Sequence, residues 1–502
     1  MEKGQTVTVK IEDMSSEGQG IGKADGFVVF VEGTVPGDVV RAELVKVKKR
    51  YGSAKLMEII EASADRTDDF GCVSLEQGCG GCPYSRIGYG AQLALKERQV
   101  RDRLERIACI EDPQMRPITG MKKDDNNGYG PFRYRNKAQF PVTTGGIITR
   151  KGGVVENLGD TKVGFYRHKS HDVVDCQDCR LQSMAAMAAA DALRRFMKED
   201  NITAWDPKWD KGLIRHLIVK SGFRTGEVMA ILVINGKGIP NIQKLIGMMD
   251  DAIYDAGYSL ESVVLNIRKS ADFGGQGASY RNGGDVMGDK NIVVAGKSVI
   301  KDIIGHLQFE ISPASFYQVN PIQAERLYDK VREYCISERN GAKPILLDLY
   351  CGVGSIGLYC ADIAEAVIGV ETVREAVTDA NRNAVINGIV NARYICGRAE
   401  EILPRYASYQ ENEAEDKEIA ELVKKADIAV LDPPRAGCRP ELLEAVAGIG
   451  VDRIIYVSCD PATLARDIKL LEDLGYRFVE AAPYDLFPWT SHCEVISLLQ
   501  KP

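Results

Sequence analysis

The sequence predicts an α/β protein: a doubly wound, mostly parallel sheet at the carboxyl end, a small β-barrel in front, and a mixed α+β region between them. Three observations point there. From about residue 311, short apolar strands alternate with helical stretches, the pattern of a parallel sheet covered on both faces. Residues 1–62 alternate apolar and polar in short runs broken by glycine, the period of half-buried strands. The length, 502 residues, suggests three domains at roughly 150 residues each.

The front strands are read at residues 6–10, 26–31 and 38–44, with Lys46, Lys48 and Lys49 extending the third. Short strands of even spacing suit a small barrel of oligonucleotide-binding type. Residues 91–108 read as a helix whose apolar stripe is Leu93, Leu95, Val100, Leu104 and Ile107. The centre carries strand-like runs at 213–219, 228–234 and 262–267, and helical stretches near 181–200 and 240–256. The last region has strands at 345–349, 366–370, 428–431 and 454–457. These patterns divide the chain at 1–62, 63–310 and 311–502. Residues 409–426 are acidic and polar and read as an exposed insertion or helix without chemistry.

Hydrophobic content of 45% with 27% charged residues is that of an ordinary globular protein. No apolar run approaches the roughly 20 residues needed to span a bilayer, and Met1-Glu-Lys-Gly-Gln5 does not read as the apolar core of a signal peptide. A cytoplasmic protein without a membrane partner is expected. Thirteen cysteines in that compartment argue against a disulfide framework and for metal binding or catalysis. Cys335, Cys360 and Cys396 read as plain core. The net charge of −7 does not suggest a nucleic-acid binder, but residues 41–55 and 131–170 are locally basic. A polyanion needs only such a patch, and two solvated faces are the bland alternative.

Five features carry chemistry. Arg453-Ile-Ile-Tyr-Val-Ser-Cys459 ends an apolar strand that Asp460-Pro461 breaks, so Cys459 sits at a carboxyl end, where open α/β sheets bind ligands. It is a nucleophile there or buried filler. Gly352, Gly354 and Gly357 fit G-x-G-x-x-G after a strand, and Glu371 ends the next strand where an acid binds ribose hydroxyls. That signals a nucleoside-containing cofactor, in a dehydrogenase as well as in an adenosyl-methionine enzyme. Asp432-Pro-Pro-Arg435 again follows a strand. It is a rigid turn, or the loop that adenosyl-methionine enzymes acting on nucleic-acid bases often carry. Glu494 enters the strand 495–499 and is a surface strand end or a general base near Cys459. Cys72, Cys79 and Cys82, with Cys176 and Cys179 a hundred residues later, suit tetrahedral zinc or an iron–sulfur cluster, and spacing does not separate the two.

Together, Phe309 to Asn320, Asp348 to Gly357, Asp432 to Gly437, Tyr456 to Asp467 and Asp485 to Glu494 resemble the RNA uracil-C5-methyltransferase family. The first 60 residues resemble the TRAM barrel at the front of its 23S ribosomal RNA members. The resemblance implies a Rossmann-like methyltransferase domain and a central α+β iron–sulfur domain. It implies S-adenosylmethionine as cofactor, bound by Gln318, Tyr350, Glu371 and Asp432, with Ser355 a weaker candidate. It implies Cys459 as nucleophile, Glu494 as base, and Cys72, Cys79, Cys82 and Cys179 as ligands of a [4Fe-4S] cluster, with Cys176 a nearby spare. Phe316 stacks on the target base or packs in the core. Cys493, beside Glu494, is expected to turn away and play no role.

The expected activity is methyl transfer to carbon 5 of a uracil in 23S ribosomal RNA, by a monomer whose basic stretches hold phosphates. The Cys459 pKa is expected to be lowered by a helix start and by Arg435 or Arg466. Alternatives are a tRNA T-loop methyltransferase, a non-catalytic RNA-binding iron–sulfur protein, and a nicotinamide oxidoreductase.

Overall fold

The computed structural model describes residues 1–68, 70–144, 147–149, 155–157, 159–207, 209–268, 286–336, 342–408 and 417–502. The front segment closes as a five-stranded barrel in the order β1-β2-β3-β5-β4. Its strands are β1 (Thr6–Met14), β2 (Gln19–Ala24), β3 (Phe27–Glu32), β4 (Val39–Val47) and β5 (Tyr51–Glu61). Val7, Val9 and Ile11 alternate inward to meet Val29, Val31, Val40, Ala42 and Leu44. Lys46, Lys48, Lys49, Arg50 and Lys55 remain exposed, beside the exposed ring of Tyr51.

The centre is one sheet of order β10-β9-β6-β11-β12-β13-β14. It comprises β6 (Lys137–Thr144), β9 (Thr161–Tyr166), β10 (Val173–Asp175), β11 (Ile214–Ser221), β12 (Glu227–Ile234), β13 (Ser259–Ile267) and β14 (Lys290–Gly296); β7 (Ile147–Thr149) and β8 (Val155–Asn157) pair apart from it. The parallel pair β12 and β13 is joined across the helix Ile242–Asp255, as a parallel connection requires. That helix and Met184–Glu199 bury one face of the sheet. Ile218, Met229, Ile231 and Val233 on the other face share a core with β15 (Ile300–Ile304), β16 (Leu307–Ile311) and the helix Pro321–Cys335. The division drawn at 310 therefore runs through β16.

The last sheet has the order β19-β18-β17-β20-β21-β23-β22. Its strands are β17 (Ile345–Leu349), β18 (Ala366–Glu371), β19 (Ala392–Cys396), β20 (Ile428–Leu431), β21 (Arg453–Ser458), β22 (Arg477–Tyr484) and β23 (Glu494–Gln500). All run parallel except β23, which is antiparallel to both neighbours. Val100, Leu104 and Ala108 pack into the core on one side of this sheet, so the early helix Tyr89–Arg103 lies against the last domain.

Two expectations need correcting. Ile107 is 37% exposed, because the helix ends in a π turn over Leu104–Ala108 that shifts the stripe and buries Ala108 instead. Cys396 closes an edge strand and is exposed. Of the acidic stretch, residues 409–416 lie outside the described residues, while Lys417–Lys424 is a helix burying Ala420 and Val423. No helix among the described residues is long and apolar enough to cross a membrane.

Candidate active site

The chain goes from β17 to β18 and β19 on one side, then crosses back to β20, β21 and β23 on the other. The crevice between β17 and β20 is thus a topological switch point, and its carboxyl edge is the expected ligand site. Tyr350, Gly352 and Gly354 all hold positive φ there (63°, 55° and 77°), so the backbone folds back tightly after β17. The Gly357 N–H donates to Asp348 Oδ2 at 2.9 Å, and a Cβ on Gly357 would lie 2.6 Å from that oxygen. The glycine therefore seats the helix Ser355–Tyr359 on the strand.

Glu371 ends β18 and accepts from the Gly352 and Val373 N–H groups. Ser355 Oγ and the Tyr328 hydroxyl are 2.9 Å apart. Gln318 is held by its carbonyl, which accepts from Asn136 of the central domain at 2.8 Å. Tyr350 is half-buried, its hydroxyl directed at the Cys438 thiol. Phe316, two residues before Gln318, is 63% exposed, which removes the core reading for it.

Burial pushes Asp348 and Asp432 up to about 7, with the Glu371 charge adding to the first and the Asp348 charge to the second. Asp348 Oδ1 is buried without a hydrogen-bond partner among the described residues. Two raised carboxyls and an orphaned oxygen beside a glycine-rich loop suit a cationic ligand, so the residues fit S-adenosylmethionine. Asp348 was missed as a site residue by sequence reasoning. The available signal was an acid at a strand end before glycines.

The antiparallel run of β23 brings the base candidate to the nucleophile candidate. Ser458 of β21 pairs with Val495 of β23, so one step further along each strand lie Cys459 and Glu494. Burial raises Glu494 to about 8, with Asp432 raising it further and Arg435 opposing. Burial and the Glu494 charge raise Cys459 to about 11, again opposed by Arg435.

The expected lowering of the thiol is therefore overturned, for two visible reasons. The first N–H groups of the helix Pro461–Asp473 are taken by the Asp460 side chain, which accepts from Ala462 and Thr463. Arg466 is bound to Asp467 and to the carbonyls of Ala436 and Cys438. Arg435 is the cation that does act on Cys459. Its guanidinium lies 2.9 Å from His492 Nε2. Burial and the neighbouring arginine lower His492 to about 4, which leaves a neutral imidazole near neutral pH. His492 carried no sequence signal beyond adjacency to Glu494. Cys493 is buried on the apolar core, as alternation requires.

The second set of residues meets elsewhere. Cys72, Cys79, Cys82, Cys176 and Cys179 line one cavity of about 380 Å³ with Arg135, Gln182 and Phe316. Backbone N–H groups of Ser74 and Leu75 donate to the Cys72 sulfur, Gly81 to Cys79, and Leu181 and Gln182 to Cys179. The Cys176 thiol bonds to Cys179, raising the former and lowering the latter. Burial pushes Cys72, Cys79 and Cys82 up, Cys79 to about 11. Among the described residues, no three His, Cys, Asp or Glu side chains close on one point to hold a single metal ion. The thiols line one cavity and are supplied with N–H donors, a soft donor set of the type that ligates iron or zinc.

The two basic stretches differ. The barrel lysines point to solvent, whereas Arg133 bonds Asp178 and the Cys179 carbonyl, and Lys169 bonds Glu32. Arg150 and Lys151 lie outside the described residues.

The tRNA (Uracil-5-)-methyltransferase family profile matches residues 290–502, and the TRAM domain profile matches residues 1–57. An uncharacterized RNA methyltransferase of Caldanaerobacter subterraneus subsp. tengcongensis is 40% identical, covering 99% of this chain and 98% of that protein. The chain belongs to the RNA uracil-C5-methyltransferase family. A second uncharacterized RNA methyltransferase, of Halalkalibacterium halodurans, is 37% identical over 99% of the chain and 97% of its own length. The fold is shared with the Pyrococcus abyssi tRNA (uracil-54, C5)-methyltransferase in complex with S-adenosyl-L-homocysteine. The TM-score is 0.70 at 24% identity, covering 97% of this chain and 99% of that one. The protein is an S-adenosylmethionine-dependent RNA methyltransferase with a TRAM barrel.

Proposed function

We propose that this enzyme methylates carbon 5 of a uracil in 23S ribosomal RNA through a covalent Cys459–carbon 6 adduct, with Glu494 as base. The supporting observation is the β21–β23 register, which sets Cys459 beside Glu494 at the cofactor edge of the sheet. Asp348, Tyr350, Ser355, Glu371, Asp432 and Gln318 hold S-adenosylmethionine. That cofactor supplies an electrophilic methyl and a positive charge among raised carboxyls.

Carbon 5 of uracil is a weak nucleophile. The Cys459 thiolate adds to carbon 6, and the carbon 5–carbon 6 pair of electrons moves into an enolate. Carbon 5 then takes the methyl, whose bond to the sulfonium breaks. Glu494 removes the carbon 5 proton, the double bond re-forms, and the thiolate leaves with its electron pair. Arg435 holds positive charge beside the thiolate while it forms. The uracil must leave its stack to reach this crevice, and Phe316, whose ring is exposed, is the proposed stacking partner. The barrel lysines hold phosphates.

Cys72, Cys79, Cys82 and Cys179 hold a [4Fe-4S] cluster that orders the surrounding loops. The shared cavity and the N–H groups aimed at three of the sulfurs support this assignment. Iron and sulfide analysis of anaerobically purified protein tests it; bound zinc without sulfide would overturn it.

The front barrel supports ribosomal RNA, but a tRNA reading has its own support. The likeness to the Pyrococcus abyssi enzyme, named for uracil 54 of tRNA, extends over 97% of this chain, barrel region included. Methyl-labelled S-adenosylmethionine supplied with 23S RNA and with tRNA separately decides between them. Label only on tRNA overturns the ribosomal substrate, and label on neither overturns the activity.

A further inference from the structure

The segment between Asp485 and His492 leads directly into Glu494, yet most of its polar groups are held by residues from the first 140 of the chain. Lys96 and Asp485 are both fully buried, and Lys96 Nζ donates to Asp485 Oδ1 at 2.6 Å and to the Phe487 carbonyl at 3.1 Å. Tyr89 donates to the other Asp485 oxygen at 2.9 Å. Tyr134 donates to the Pro488 carbonyl at 3.1 Å. Gln92 accepts from the Trp489 N–H, and Ser491 donates to the Ser16 carbonyl in the barrel. From the catalytic side, Asn320 and Gln323 hold the carbonyls of Leu486 and Asp485.

Trp489 is the centre of this grip. Its backbone lies in the left-handed region, at φ 69°, which a bulky residue adopts only when its surroundings impose it. Its ring stacks on Phe132 with centroids 5.0 Å apart and meets Phe70 edge-on at 5.0 Å. The same cluster contains Cys82, with Cys72 and Cys179 packed against it. The aromatic layer therefore lies between the cysteine cavity and the segment that ends at the base.

We propose that Lys96, Tyr134 and Trp489 are positioning residues for Glu494: the cysteine-bearing segment sets the geometry of the catalytic base through Asp485–His492. This rests on the reading of Glu494 as the base that resolves the Cys459 adduct. The expected consequence is selective. Loosening the segment displaces Glu494 but leaves Cys459, which is fixed by β21, and the cofactor loop after β17.

The test uses the full-length enzyme, purified with its native metal content, and compares Tyr134→Phe, Lys96→Met and Trp489→Phe with Glu494→Gln. Three quantities are read: S-adenosylmethionine affinity by titration, the rate at which a denaturation-resistant protein–RNA adduct forms, and the rate at which it resolves. Tyr134→Phe removes only a hydroxyl, so it remains informative if Lys96→Met fails to fold. The positioning variants should keep cofactor affinity within about twofold and form adduct at the wild-type rate. They should resolve it about ten- to a hundredfold more slowly, as a displaced catalytic group does. Equal slowing of formation and resolution, or wild-type resolution, overturns the inference. If Glu494→Gln accumulates no adduct, the assignment of the base falls and the inference with it; if Glu494→Gln accumulates adduct and the positioning variants do not, the inference alone falls.

Discussion

In the catalytic crevice the reactive groups sit on strand ends, whereas in the cysteine cavity they sit on loops. Cys459 follows β21 and Glu494 opens β23, so the strand register brings one beside the other. Cys72, Cys79, Cys82 and Cys179 have no such ladder. They are gathered by short segments, backbone N–H donors and an aromatic cluster. The electrostatics differ as well: Cys459 faces carboxyls and Arg435, while the cavity thiols face one another, N–H groups, Arg133 and Arg135. The same residue type thus sits in two different settings, for which the proposed roles are addition to a substrate in one place and ligation in the other. The crevice should lose function without losing fold, whereas damage to the cavity should first cost stability.

The largest effect expected is at Cys459. Cys459→Ala should lower methyl transfer by on the order of 10⁴-fold or more, with stability changed by less than about 0.5 kcal/mol; radiolabel transfer and denaturant unfolding measure the two. Marked destabilisation would erase the contrast between the regions. Glu494→Gln should cost about 10²- to 10⁴-fold in turnover, the usual worth of a general base, and single-turnover assays measure it.

At Cys82 the pattern should reverse. Cys82→Ala should destabilise the chain by on the order of 4 kcal/mol and deplete iron. Crevice affinity for S-adenosylmethionine should stay intact, read by calorimetry and metal analysis. Lost cofactor binding in that variant would show that the cavity and crevice are one folding unit.

This contrast also governs what the sequence made legible. Strand–helix alternation placed β17, β18, β20 and β21 within a residue or so, because a buried parallel strand is a short apolar run bounded by breakers. Cys459 and Glu494 stood out in the sequence as strand-end residues, and the strand register brings them side by side. What escaped was non-local. Arg435 and His492 are 57 positions apart and meet only through the loop geometry. The capture of the helix N–H groups by Asp460 depends on cap geometry that composition does not reveal. Arg133 looked like an RNA contact and is instead spent on Asp178. The early helix supplies Lys96 to a partner 389 residues away, beyond any local pattern.

Acidity sharpens the comparison further. Asp348 and Asp432 stand at about 7 and Glu494 at about 8, above their ordinary carboxylate values. The folded chain therefore binds more protons than the unfolded chain between roughly pH 4 and 8, and the crevice loses stability as pH rises through that window. A cationic cofactor meets these groups as carboxylates, so S-adenosylmethionine affinity should rise with pH from about 6 to 8, by up to about tenfold per unit. Calorimetry in buffers of different ionisation enthalpy should record proton release on binding; proton uptake would contradict the assignment. The smallest effect is expected on the barrel. Lys48→Glu should weaken RNA binding modestly and lower the slope of log affinity against log salt by about 1, without changing turnover at saturating RNA.

The central claim is that Glu494 removes the carbon 5 proton of a uracil held covalently by Cys459. Tritium placed at carbon 5 of the uracils in the RNA substrate reads that step directly. One tritium should be released to water per methyl transferred, with release abolished in Cys459→Ala and slowed in Glu494→Gln. Methyl incorporation without tritium release, or undiminished release from Glu494→Gln, would contradict it.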